Sequence, residues 1–211
     1  MGRIYSVIIT LLFSLPAIKA TAQTYQKGNI VVDGYLGGPN FTTGIVRLAY
    51  MTSQKFGNEN PVSVTGTGPF GFKAEYLITE KIGISGNFNY ANTRVSGTIR
   101  INHPDPETEE TTTSTFDYAA SIRRIRIMPM LNYHFGKNEK FDPYIAFGIG
   151  YNSVRLRETK YNVGGVNLPL GSYAMRGELG FRYYFIPRLG VSGQLGVGGG
   201  PLIAAGLAAK I

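Results

Sequence analysis

Seven charged residues are spaced so that their side chains can meet. Lys73 and Glu75 stand two apart, as do Arg124 and Arg126, and Arg176, Glu178 and Arg182 keep the same even spacing. In an extended chain, residues two apart point to the same face. Both signs occur on that face, and a charge withdrawn from water is costly unless it is paired. The set can therefore do one of two things. It can form an ion-pair network that fills an interior, or it can line a pore and select what passes. The filled interior is the reading adopted, with selectivity as the alternative.

Other reactive residue types are sparse. There are two histidines and no cysteine, so disulfides and thiol chemistry are excluded. A hydrolase would draw on His103 with Ser114 and Glu107, because acyl transfer needs a nucleophile, a base and an orienting acid. The acidic, proline-containing stretch 102–110 reads as a mobile loop, which would not hold that geometry. His103, Asp105, Glu107 and Glu109 lack the ordered spacing of a metal site. Glycines cluster at Gly34, Gly37 and Gly38 and again at Gly196 and Gly198–Gly200, but no helix follows to make a phosphate cradle. No catalytic residue, cofactor or metal is expected.

The elements that must carry the charged face are strands. From Phe70 to Ile78 the even positions are Phe70, Phe72, Ala74, Tyr76 and Ile78, and the odd ones include Lys73 and Glu75. From Tyr173 to Phe185 the odd positions hold Tyr173, Met175, Leu179, Phe181, Tyr183 and Phe185, opposite Arg176, Glu178 and Arg182. So aromatic a face, backed by charges of both signs, suits lipid outside and a polar interior. Eight strands are predicted: about 28–38, 62–78, 82–101, 116–135, 143–157, 172–185, 189–197 and 202–211. The stretch 39–61 is ambiguous and reads as a long loop. Apolar parity changes near Arg123–Arg124, which predicts a bulge there. Pro129 is awkward in a closed sheet. Gly148 and Gly150 suggest room for larger neighbours. Tyr76, Tyr90, Tyr133, Phe135, Tyr144, Tyr183 and Phe185 are expected to gather at the membrane interface.

The connections near Glu80, Lys137 and Pro187 are short, and those near Lys55, Pro106 and Asn162 are longer. This alternation suits short periplasmic turns, longer outer loops and both ends of the chain on the periplasmic side. The short turn at Gly200 breaks the pattern. The first residues read as an export signal: Arg3, an apolar run from Ile4 to Leu15, then Ala20-Thr21-Ala22, with cleavage after Ala22. Residues 23–211 then form one domain. Losing Arg3 and Lys19 would take the formal charge from +8 to +6. Nucleic acid is rejected as a partner, because export removes the opportunity and several arginines lie beside acids. The positive excess suits anionic lipid head groups.

Gly28-Asn29-Ile30-Val31-Val32-Asp33-Gly34-Tyr35, Gly38-Pro39-Asn40 and Gly68-Pro69-Phe70-Gly71-Phe72-Lys73-Ala74-Glu75-Tyr76-Leu77-Ile78-Thr79 resemble the small outer-membrane β-barrel domain family of the outer-membrane protein A and X types. The resemblance implies an all-β fold, an eight-stranded antiparallel up-and-down transmembrane barrel located in the outer membrane. It implies a monomeric, non-enzymatic protein that meets lipid, lipopolysaccharide or an extracellular ligand. A narrow channel is the alternative, and a lipid-modifying enzyme a more distant one. Such barrels commonly end in an aromatic residue, where this chain has Ile211.

Overall fold

The computed structural model describes residues 26–55, 62–104, 111–136, 140–158, 166–168 and 172–211. The proposed signal and its cleavage point lie outside these residues. Strand β1 is Ile30–Gly38, followed by helix α1, Phe41–Lys55. Then come β2 (Val62–Leu77), β3 (Ile82–Pro104), β4 (Thr111–His134), β5 (Phe141–Glu158) and the short β6 (Val166–Leu168). Strands β7 (Tyr173–Ile186), β8 (Leu189–Gly198) and β9 (Ile203–Lys210) complete the chain.

The spatial order is β4-β3-β2-β1-β9-β8-β7-β5-β6, and β4 also pairs β5. That last pairing closes eight strands into an antiparallel up-and-down barrel, with β6 attached to β5 beyond it. The first and final strands meet from Val31↔Lys210 to Gly38↔Ile203, so no edge is left open there. No helix among the described residues is long and apolar enough to cross a membrane, which says nothing of a crossing by strands.

Alternation sorts the side chains. Phe72, Ile127, Leu131, Phe147, Leu179 and Leu195 are exposed on the outer wall, whereas Lys73, Asn132, Tyr144 and Glu178 are buried inside. An exposed apolar belt around a polar core is what hydrocarbon outside requires. The barrel rim is uneven. Strands β3 and β4 run 23 and 24 residues, whereas β8 and β9 run 10 and 8. The long hairpin therefore rises above the side formed by the short strands. This end, opposite the termini, is called the loop end below.

Three expectations are corrected. Much of the stretch 39–61 is helix, so a helix does follow Gly34, Gly37 and Gly38, where none was expected. Asn40 opens it by accepting from the Thr43 amide, and Thr43 Oγ1 meets Thr93 Oγ1 at 2.8 Å. Arg47 donates to the Val64 carbonyl, and the Tyr50 hydroxyl accepts from the Val62 amide. The second correction concerns the bulge. The β3–β4 register runs without a shift from Ile82↔Tyr133 to Pro104↔Thr111, and the irregularity lies instead in β2, between Thr67 and Phe70. The apolar residues of β4 change parity because their surroundings change. Below, lipid takes the odd face; above, the even face carries Tyr118, near Tyr50 of α1. The third is Tyr144, which lies in the lumen, 1% exposed, not at the membrane interface. It shares parity with Asp142 and Ala146, the inward set of β5.

Pro129 finds its place here. Its lack of an amide donor falls on the β5 side, where the β4–β5 pairing lapses between Ile127↔Tyr151 and Met130↔Gly148, while Gly86↔Pro129 keeps the β3 register.

Candidate functional site

The lumen holds the chemistry-bearing residues, and adjacent strands bring them together. Strands β2 and β3 pair Lys73 with Asn87 and Glu75 with Ser85. Strands β5 and β7 pair Asp142 with Arg182 and Ala146 with Glu178. Shear of the barrel then brings β2 side chains across to those of β7.

Two clusters result. In the first, the Arg182 guanidinium forks onto Asp33, with Nη2–Oδ2 at 2.7 Å and Nε–Oδ1 at 3.1 Å. The same Nη2 is 2.7 Å from Glu75 Oε2, a close ion pair without the angle of a hydrogen bond. Nη1 reaches Asp142 at 3.4 Å. His134 stands between Glu75 and Asp142, with each ring nitrogen 2.8 Å from a carboxylate oxygen. Asn132 donates to Glu75 Oε1 at 2.5 Å.

In the second cluster, Lys73 Nζ donates to Glu178 Oε1 at 2.7 Å and to the Tyr144 hydroxyl at 2.8 Å. The other oxygen of Glu178 accepts from Arg176 Nε at 2.7 Å. The Tyr144 ring joins the clusters, with Lys73 Nζ 4.2 Å and Arg182 Cζ 4.7 Å from its centroid. Glycine makes room for that ring: a Cβ at Gly180 would collide with it. Lys73, Glu75, Arg176, Glu178 and Arg182 are all buried. Enclosed charges of opposite sign at these distances hold one another strongly, and removing one strands its partner.

Five of the seven sequence-identified residues thus lie in these clusters. Arg124 and Arg126 point into the same lumen nearer the loop end, half-buried and apart from the acids. Arg126 is held by amides, donating to Asn152 Oδ1 at 3.1 Å and to Asn89 Oδ1 at 3.2 Å. Sequence reasoning did not include Asp33, His134, Asp142 or Tyr144 in the network. Parity carried the signal for all four: Asp33 lies between the inward Val31 and Tyr35, and Asp142 two before Tyr144. Glu107 and the His103 side chain, from the hydrolase alternative, lie outside what is described.

A closed barrel with lipid-facing aromatics and an ion-paired lumen points to one class of protein. The outer membrane protein β-barrel domain model matches residues 7–198. The chain belongs to the outer membrane protein β-barrel domain family. It is therefore an integral outer-membrane protein. Similar solved structures include the N-terminal β-barrel domain of Pseudomonas aeruginosa OprF, at 10% identity and TM-score 0.47, covering 88% of this chain and 98% of that one. OprG from the same organism is similar at 12% identity and TM-score 0.45, covering 89% and 97%. Ail of Yersinia pestis, the attachment invasion locus protein, is similar at 11% identity and TM-score 0.43, covering 88% and 100%. No curated protein matches the sequence.

Proposed function

We propose that this family member is a monomeric, non-enzymatic, non-conducting barrel that works through the structure raised at its loop end. The observation that carries the reading is the filled lumen. Lys73, Glu75, Arg176, Glu178 and Arg182 are each no more than 3% exposed, and they are tied to one another across the bore. An eight-stranded barrel has an interior that side chains can fill, unlike a wide porin. Both nitrogens of His134 are engaged by carboxylates, which supports a structural rather than a nucleophile-activating role.

The termini would face the periplasm, and the β3–β4 hairpin and α1 the exterior. The proposed partner there is lipopolysaccharide. Arg94, Arg123, Arg155 and Arg157 are exposed on the outward face of β3–β5 toward the loop end. Arg123 and Arg155 stand directly opposite each other across β4 and β5. Like charges so placed repel, and an anionic head group between them would offset this. Phe41, Ile45, Leu48 and Met51 form an exposed apolar stripe on α1, available to an extracellular ligand.

Single-channel recording in planar bilayers tests the reading. The expected trace shows no reproducible openings, and stepwise conductance would establish the narrow-channel alternative instead.

A further inference from the structure

The loop-end half of the lumen collects hydrogen-bond donors and positive charge without an acceptor to match. Among the described residues, the buried lumen carboxylates Asp33, Glu75, Asp142 and Glu178 are already engaged by Arg182, His134, Lys73 and Arg176. Arg124 and Arg126 have no acidic partner among the described residues. Arg126 lies within electrostatic reach of Arg124 and Arg176, and no carboxylate is among the neighbours that act on it.

Two donors there are buried and unmatched: Arg124 Nε and Arg176 Nη2. Arg176 and Asn89 are each 1% exposed. Asn89 has spent its oxygen on Arg126, and its amide nitrogen faces the Tyr35 hydroxyl. Arg176 cannot readily swing away. Its Nη1 donates to the Pro201 carbonyl at 2.9 Å, and Cβ atoms at Gly196 or Gly200 would collide with its guanidinium. The turn Gly199–Pro201 is itself buried, folding over the lumen instead of standing out from it.

Confined guanidinium groups repel, and a buried donor left unmatched is costly. Both penalties are removed by one species, an acceptor-rich anion. We propose that this vestibule binds a small oxyanion from solution, of the phosphate or sulfate class, held by the Arg124 and Arg126 guanidinium groups with the Asn89 amide and the Arg176 charge behind them. Guanidinium forks match the oxygens of such anions. The source is a free solute and not a lipid head group. The barrel wall stands between the vestibule and the bilayer, and Arg124 and Arg126 are half-buried at its loop end.

The test uses the full chain refolded in a nonionic detergent. Inorganic phosphate is titrated against chloride at matched ionic strength, and the thermal midpoint of the heat-modifiable band is read. Phosphate should stabilise the wild type saturably and chloride should not. An Arg124→Gln/Arg126→Gln variant should bind phosphate about tenfold more weakly or worse, the loss of at least one charge-assisted hydrogen bond. A Lys81→Gln/Arg188→Gln variant, altered only at exposed turns of the opposite end, should keep the response. Equal midpoints in phosphate and chloride for the wild type, or an undiminished response in the lumen variant, would overturn the proposal. Phosphorus NMR of inorganic phosphate with unaltered protein needs no variant: line broadening supports the site, and an unbroadened line sinks it. The outcome is independent of the conductance result.

Discussion

At the residue scale, the lumen charges are coupled, so their substitutions should not be additive. Arg182 answers Asp33, Glu75 and Asp142 together. Arg182→Leu should therefore destabilise more than Lys73→Met, which strands Glu178 with Arg176 still at hand. Breaking a buried pair from one side costs about 3–5 kcal/mol. Urea unfolding in detergent should place Arg182→Leu at or above the top of that range. The Lys73→Met/Glu178→Met double variant should cost less than the two single changes added together, because the Lys73–Glu178 pair is lost only once. If the double variant is less stable than the sum of the two single changes, the pair is not coupled as described. The seven charges were legible in the sequence because alternation alone assigns a face. Asp33, Asp142 and His134 were harder to read, because parity gives each an inward face but names no partner for it. Their partners come from strands distant in sequence: Arg182 reaches Asp33 across 149 positions.

At the element scale, helix α1 tests how a loop-end segment is held. The Asn40 side chain accepts from the Thr43 amide and donates to the Asn92 carbonyl at 3.1 Å, so it caps the helix and ties it to β3. Asn40→Ala should cost about 1 kcal/mol locally. Hydrogen exchange should rise in residues 41–55 and remain unchanged in β7–β9. The helix was not apparent in the sequence. Its apolar stripe is unpartnered, its first turn carries no acidic residue, and Gly44 weakens it. Side-chain bonds to β2 and β3 supply what propensity does not. The outer wall answers differently. Leu131 is exposed to the lipid side, and Leu131→Arg should cost about 2–4 kcal/mol if it lies near the midplane of the bilayer. Arg123→Ser/Arg155→Ser should weaken association with lipopolysaccharide-containing vesicles, at about 1 kcal/mol per arginine. Co-sedimentation at low and high salt reads this, and a salt-independent result would remove the lipid head group as partner. The misplaced bulge has a similar lesson. Apolar parity reports the surroundings of a strand, so Tyr118 and Ile122 mimicked a backbone irregularity that the β4 register does not contain.

At the scale of the whole molecule, closure is the property on which the rest depends. Strand β9 pairs β1 on one side and β8 on the other. Removing residues 203–211 should abolish the heat-modifiable form on gels, because β1 and β8 would both become open edges in lipid. A truncated chain that still migrated as a folded barrel would show that closure is not needed. The period of two, applied to the chain alone, was enough to place the eight barrel strands, most of their lipid-facing residues and seven of the interior charges. Those features depend on neighbours two residues away. Three others were decided only by the tertiary structure: which acid answers which base, the folding of α1 against β2 and β3, and the inward tuck of the Gly199–Pro201 turn. Each depends on the shear that brings remote strands side by side, and that offset is a property of the closed ring, which no local stretch of sequence encodes.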